Sequence, residues 1–164
     1  MSHPEMGDLE ATMWRRHANA KSGWTRLPTG AALVYAVYSR DVRLLVAALA
    51  WAAVNPFLFP PPDDEDAWMT RAVRAEQWWL YEEGNATVGV DYPNVANAVG
   101  ALGFCYAVYA AWRRRPAGAA LGTVVSAGLK LWWLGVLVRR YDGRTRLAER
   151  VDGPEGRPPG GLDS

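Results

Sequence analysis

Two adjacent apolar runs constrain the fold of this chain more than any other feature of its sequence. Residues 92–112 carry no formal charge, and residues 117–138 carry one, Lys130. At about 1.5 Å per residue, each run is long enough as a helix to cross a hydrocarbon core of about 30 Å. The basic turn 113–116, Arg-Arg-Arg-Pro, joins them. The pattern predicts a membrane-spanning helical hairpin.

The composition of these runs argues against an ordinary soluble bundle, in which every helix needs a polar stripe. In 92–112 the polar groups are Asn94, Asn97, Cys105 and tyrosine hydroxyls. A chain of 164 residues is too small to bury two helices that are apolar on all sides. The lipid bilayer is therefore the expected partner, and the net charge of +1 gives no sign of a nucleic-acid partner.

A second, shorter hairpin is predicted in the first half of the chain. Runs 24–39 and 44–59 lie just below the length of about 17–25 residues expected of a spanning helix, so they are either two short spans or a hairpin that enters and returns. The prolines at 60–62 end the second run. Segment 67–83 then reads as an amphipathic helix, either at the membrane surface or capping the bundle. Residues 17–26 read as a loop.

The predicted fold is all-α, an integral-membrane four-helix bundle made of two hairpins, with a surface helix between helices 2 and 3. Residues 1–150 form one membrane domain, and 151–164 form a disordered tail. The aqueous segments on the side of the termini hold 12 Lys and Arg, against 5 in the two turns. The positive-inside rule then places the protein in the cell membrane as a multi-pass protein with both termini in the cytoplasm.

Small residues in the second hairpin predict close helix packing. Gly118 and Gly122 share one helix face with Ser126, and Gly100 and Gly103 recur at helical spacing on the preceding helix. Small residues let membrane helices approach closely. We expect these two faces to pack against each other across the turn.

One intramembrane charge marks a candidate binding site. Lys130 lies eight residues before Val138, a depth of roughly 12 Å. Its ammonium either reaches back to the nearer surface or faces inward and binds an anion or a carbonyl. In an up-down bundle Asn55, Asn97 and Ser126 fall in the same half of the membrane, so they are predicted to cluster with Lys130, or else the asparagines simply join helices.

Groups in the aqueous segments extend this candidate site. Glu76 on the surface helix approaches the cluster from outside in this interpretation. His17 and Arg26 are candidates for a lipid headgroup phosphate, although a lone loop histidine is often inert.

Chemistry-bearing motifs are otherwise missing from the sequence. It has no Ser-His-Asp pattern, no phosphate-binding glycine loop and no metal-ligand spacing, and its one cysteine excludes an internal disulfide. We predict no catalytic residue, no metal and no cofactor. The leading hypothesis is a non-enzymatic membrane subunit or interaction module, as a homo-oligomer or in a larger complex. The alternatives are a transporter or binding protein for a small solute or anion at Lys130, and a membrane enzyme acting on lipid or quinone.

Three segments resemble the signatures of a known family. HANAKSGWTR at 17–26, VNPFLFPPP at 54–62 and WMTRAVRAEQWW at 68–79 are similar, in sequence and in order, to a family of small prokaryotic polytopic membrane proteins defined only as a domain of unknown function. Ala20 stands where the family pattern has proline. The resemblance implies a polytopic membrane protein and transfers no activity or functional residue.

Overall fold

The chain is all-helical over the residues that the structure describes. The computed structural model describes residues 7–152, with side chains for 7–148, and contains no strand in that range. Its helices are α1 Asp8–His17, α2 Ala20–Arg26, α3 Thr29–Ser39, α4 Val42–Leu58, α5 Trp68–Tyr81, α6 Asn94–Trp112 and α7 Pro116–Asp152. The predicted all-α class is confirmed. Of the predicted tail, residues 151–152 belong to α7 and 153–164 lie outside the described residues.

Helices α6 and α7 form the predicted second hairpin. Within the described residues they are the two helices long and apolar enough to cross a membrane, over Asn94–Trp112 and Pro116–Ala148. The turn between them places Arg114 in the left-handed region, at φ 57°. α7 continues past the predicted end at Val138, because the following residues include no proline before 154 and Arg140, Tyr141 and Arg144 contact α5.

The first hairpin differs from its prediction. α2 ends at Arg26 and α3 begins at Thr29, so the predicted span 24–39 is divided. Pro28 has no amide hydrogen to continue the helical ladder, which accounts for the break. α3 is consequently about 16 Å long, too short to cross a hydrocarbon core unaided. α4 closely follows the predicted 44–59, but at 17 residues it is shorter than the two spanning candidates.

The two hairpin turns lie at the same end of the molecule. Arg40 caps α3 in a left-handed conformation, and its guanidinium Nη2 donates to the carbonyl of Trp112 over 2.8 Å. Below the turns, Val34 of α3 packs against Ala107, Ala110 and Ala111 of α6. α3 therefore runs alongside α6 from the turns and stops partway down.

Helix α5 is embedded in the protein rather than lying free on its surface. Every residue from 68 to 81 is at least partly buried. Its apolar face packs on the lower part of α7 in the largest core cluster, which includes Met69, Ala72, Trp78, Trp79, Trp133 and Leu137. The helix at 67–83 is thus observed at Trp68–Tyr81, with α1, α2 and α7 covering it.

Apolar side chains line the outward faces of the long helices. On α6 the exposed residues recur at helical spacing, at Val95, Val99, Leu102, Tyr106 and Tyr109. The spanning window of α6 is only 22% buried, and that of α7 only 33%. Such exposed stripes are unlike the core helices of a soluble protein, whose apolar side chains are covered.

Candidate functional site

A cavity of about 470 Å³ lies where the short α3 stops, bounded by α1, α2, α3, α5, α6 and α7. Its wall is mainly apolar, with Met13, Trp14, Leu27, Phe104, Leu131 and Leu134 among the lining residues. The polar side chains that line it are His17, Arg26, Glu76, Thr123, Ser126 and Lys130. This mixture of an apolar wall with a few polar groups is typical of small-molecule sites.

Lys130 is held inside this cavity by a carboxylate from α5. Its Nζ lies 2.9 Å from Oε1 of Glu76 and 4.2 Å from the centroid of the Trp133 ring. The Glu76 side chain is 18% exposed and that of Lys130 is 38% exposed. The ion pair neutralises the charge that α7 carries into its apolar run. Lys130 thus has a protein partner and does not extend alone to the surface.

His17 is tied to the protein interior by a chain of hydrogen bonds. Its Nδ1 lies 2.9 Å from the hydroxyl of Ser22, which in turn donates to Oδ1 of Asn55 over 2.8 Å. The Asn55 amide Nδ2 donates to the hydroxyl of Thr25 over 3.0 Å. Ser22 and Asn55 are fully buried, so the middle of this chain, which joins α1, α2 and α4, is shielded from water, whereas Thr25 at its end is exposed.

The cavity keeps His17 uncharged at neutral pH. The pKa of His17 is lowered from 6.5 to about 4, mainly by burial and secondly by the neighbouring positive charge of Arg26. The carboxylate of Glu76 acts in the opposite direction, and Lys130 adds to the lowering. Burial dominates because a charged imidazolium loses its hydration in this apolar surrounding.

Arg26 contributes the cavity's unbalanced charge. Within the described part of the chain it forms no ion pair, whereas Lys130 and Glu76 offset each other. With His17 neutral, the cavity carries a net charge of about +1. The residue itself is exposed, so its guanidinium is available at the edge of the cavity.

The structure brings together most of the sequence-predicted site residues, in a different arrangement. His17, Arg26, Glu76, Ser126 and Lys130 line one cavity. Asn55 does not line it but supports His17 through Ser22. Asn97 lies apart, where its Nδ2 donates to the carbonyl of Thr87 over 2.7 Å and anchors the loop before α6. The predicted four-residue cluster of Asn55, Asn97, Ser126 and Lys130 is therefore not formed as such.

The four packing glycines lie in the contact between α6 and α7. A side chain on Gly122 would approach the carbonyl oxygen of Gly103 to 2.8 Å and the Cβ of Ala107 to 2.9 Å. A Cβ added to Gly118 would lie 3.0 Å from the hydroxyl of Tyr106 and 3.1 Å from the Cβ of Ala110. A Cβ added to Gly100 would contact Leu129 and Ser126. This glycine face is therefore filled by contacts within one chain.

Sequence reasoning missed Ser22 and Thr25, because residues 17–26 were read as a loop. They belong to α2, whose N-terminus is capped by the Asn19 side chain accepting from the amide of Lys21. Asparagine is a favoured N-cap residue, so Asn19 followed by Ala20 and Lys21 was a usable signal. The helix before it, α1, covers Asp8–His17.

The three segments that carry the family resemblance meet beside this cavity. The 17–26 segment bonds to the 54–62 segment through Asn55 and through the Asn19 amide, which donates to the carbonyl of Pro60. It also contacts the 68–79 segment, since the Trp24 and Trp68 rings lie 5.9 Å apart. Gly23 sits so close to Met69 that an added Cβ would lie 2.3 Å from its Cγ.

The described residues include no candidate metal site. Over the described residues, no group of three His, Cys, Asp or Glu side chains is placed to hold a metal ion. Cys105 is free and exposed on α6, away from the residues that line the cavity. The polar groups of the cavity are one unbalanced cation, one ion pair, one neutral imidazole and the hydroxyls of Thr123 and Ser126.

Over the described residues, fold and site together define a small all-helical protein with an apolar hairpin and, beside it, a mainly apolar cavity that holds a few polar groups. A family model matches residues 4–154, and the chain belongs to that family, which is described as a family of unknown function, DUF6653. The predicted membership of a family without a known function is thereby confirmed. No curated protein and no solved structure matches the chain.

Proposed function

We propose that this protein is a membrane-embedded binding protein for a small amphipathic anion, which it takes into the cavity beside Lys130. The observation that carries the proposal is the cavity's composition: Arg26, which forms no ion pair with the described residues, lies beside a neutral His17 and a largely apolar wall. An anionic group on the ligand would meet Arg26, and an apolar chain would lie against Trp14, Phe104 and Leu134.

Embedding in a membrane is the first part of this proposal. Two apolar helices with exposed outward faces support it. Lys130 lies 14 residues into α7, which is about 21 Å from the arginine turn. A cavity at that level, with α3 ending above it, is accessible to molecules that partition into a bilayer.

Direct binding tests the proposal. The purified full chain in dodecyl maltoside is titrated with dodecyl phosphate and with dodecanol, and bound ligand is counted by native mass spectrometry. We expect one dodecyl phosphate per chain, with a Kd at least about ten times lower than that for dodecanol. That ratio corresponds to about 1.4 kcal/mol, the scale of one charge-assisted hydrogen bond.

Matched arginine variants locate the site. Arg26→Gln is expected to remove most of the preference for the phosphate. Arg43→Gln, which replaces an exposed arginine at the start of α4, is expected to leave the preference unchanged. Equal binding of dodecanol and dodecyl phosphate would contradict the proposal, as would an equal loss in the Arg43 variant.

An enzyme acting on a lipid or quinone is the second candidate, because His17 and Glu76 line one cavity. Its weakness is the low pKa of His17, about 4, which makes the imidazole a poor base at neutral pH. Turnover of a bound lipid ester or quinol that is lost in His17→Asn would favour this candidate over simple binding.

A further inference from the structure

The hydrogen bonds that run from His17 through Ser22 and Asn55 to Thr25 have a defined donor-to-acceptor direction, and Thr25 sets it. The Thr25 hydroxyl donates its single hydrogen to the carbonyl of Lys21 over 2.6 Å. Its oxygen therefore accepts from Asn55, which must present its NH₂ group to Thr25. The carbonyl end of the Asn55 amide is thus turned to Ser22 and accepts the serine hydrogen.

This direction determines which ring nitrogen of His17 carries the proton. Because Ser22 has given its only hydrogen to Asn55, its oxygen can only accept from Nδ1 of His17. The neutral imidazole is therefore the Nδ1–H tautomer, and Nε2 holds the free lone pair. Burial keeps the ring neutral by lowering the pKa to about 4, so this acceptor persists at neutral pH.

We infer that the ligand of this cavity carries a hydrogen-bond donor close to its anionic group, and that Nε2 of His17 accepts from it. The inference rests on the proposed function and names the ligand class more closely as a single-chain amphiphile whose anionic head bears a neighbouring hydroxyl. A monoacyl glycerol phosphate and a 2-hydroxy fatty acid share this chemistry. His17 lines the cavity while its Nδ1 is bound to the buried Ser22, so the opposite edge of the ring is the one left for a ligand.

The charged groups of the cavity do not supply this selectivity. The Thr123 and Ser126 hydroxyls also line the cavity, and the His17 variants below separate their contribution from that of His17. Arg26 and Lys130 have hydrogens only to donate, and Lys130 already donates to Glu76. Glu76 can accept, but its Oε1 is engaged by Lys130 and its charge repels an anionic head. The neutral imidazole can accept a hydrogen bond from the hydroxyl of such a ligand without repelling its anionic head, because the ring carries no charge.

Matched ligands test the inference apart from the proposed function. The full chain is titrated as above with 2-hydroxydodecyl phosphate and with 2-methoxydodecyl phosphate, which lacks the donor. We expect the hydroxyl compound to bind about ten times more tightly. The pair 2-hydroxydodecanoate and 2-methoxydodecanoate, run in parallel, shows whether the head is a phosphate or a carboxylate.

Two variants of His17 test the roles of its two ring nitrogens separately. Asparagine places an amide near Nδ1, so His17→Asn retains a donor for Ser22 but lacks Nε2, and glutamine places its amide near Nε2. We expect His17→Asn to bind both phosphates equally, and His17→Gln to retain part of the preference. Equal binding of the two phosphates by the wild-type chain, or an unchanged preference in His17→Asn, would overturn the inference and leave the binding function standing. Failure of every anion to bind would overturn both.

The tautomer can be measured without any ligand. The chain has two histidines, so ¹⁵N-histidine labelling of a His3→Asn variant leaves His17 as the one labelled ring. Two-bond ¹H–¹⁵N correlation at pH 7 should show a protonated Nδ1 and an unprotonated Nε2. Protonation on Nε2 instead would mean that Nδ1 of His17 accepts a hydrogen bond from Ser22, and it would overturn the inference.

Discussion

At the scale of single residues, His17 couples stability to pH. Its folded pKa of about 4 lies below the usual 6.5, so between these values the unfolded chain binds more protons than the folded one. Stability should therefore fall as the pH is lowered from about 6.5 toward about 4, by at most about 3 kcal/mol from this residue. Chemical unfolding in mild detergent across this range measures the effect.

His17→Asn supplies the comparison for this pH dependence, because asparagine does not titrate. The difference in unfolding free energy between wild type and variant should change with pH in that window and level off above it. A difference that stays constant from pH 7 to pH 4.5 would show that His17 is not held neutral by burial.

Of the residues in the hydrogen-bond chain, Ser22 is the one whose replacement should lower the unfolding free energy most. Ser22→Ala leaves Nδ1 of His17 and Oδ1 of Asn55 without their partner in a fully buried position. Each buried unsatisfied group costs about 1–3 kcal/mol, so we expect at least that loss in the unfolding free energy. Ser39→Ala, an exposed serine bonded only within its own helix, should change stability by less than about 0.5 kcal/mol.

At the scale of helices, the contact between α6 and α7 depends on one glycine more than on any other. Gly122→Ala would push a methyl group against the backbone of Gly103 and Ala107, where no flexible side chain can move aside. We expect a loss of about 1–3 kcal/mol in unfolding free energy, typical of overpacking.

Gly128 provides a matched control on the same helix. An added Cβ there meets nothing within 4 Å, so Gly128→Ala removes only the helix penalty of glycine. That variant should be neutral or slightly stabilised, by up to about 1 kcal/mol. Equal destabilisation of both variants would mean that α7 does not pack on α6 through its Gly122 face.

At the scale of the whole molecule, the arrangement of helices predicts which segments share a side of the membrane. Ser39 and Ala117 lie at the two turns that Arg40 joins, and Glu83 lies beyond α5 at the other end. Single cysteines at these positions, in a Cys105→Ala background, are treated with an impermeant maleimide in intact cells. With both termini in the cytoplasm, 39 and 117 should label and 83 should not.

The pattern of labelling distinguishes the remaining arrangements. Labelling at 83 alone would reverse the proposed orientation while keeping the hairpins together. Labelling at all three positions would contradict a membrane-spanning arrangement altogether. Because both turns lie at one end of the described structure, separate behaviour of 39 and 117 would contradict the packing of α3 on α6.

Much of the architecture is readable from the chain. The apolar runs predict α6, most of α4 and the start of α7, since hydrophobicity and length act locally along the sequence. Pro28 divides α2 from α3, and this was missed because Leu27 and Pro28 do not interrupt the apolar composition. The apolar run ends at Val138 and does not predict that α7 continues to Asp152, since contacts with α5 rather than apolar character support the continuation.

The sequence alone determined the helical class, the second hairpin and the residue types available for binding, because apolar length, prolines and isolated charges act without reference to distant neighbours. The sequence predicted that Glu76 approaches the Lys130 cluster. Only the tertiary structure decided that these two residues form an ion pair, that Asn97 anchors the loop before α6, and that Ser22 links His17 to Asn55. These pairings join residues from 5 to 54 positions apart. Which side chains meet over such separations depends on how α1, α2 and α5 pack around the short α3, and no local pattern encodes that packing.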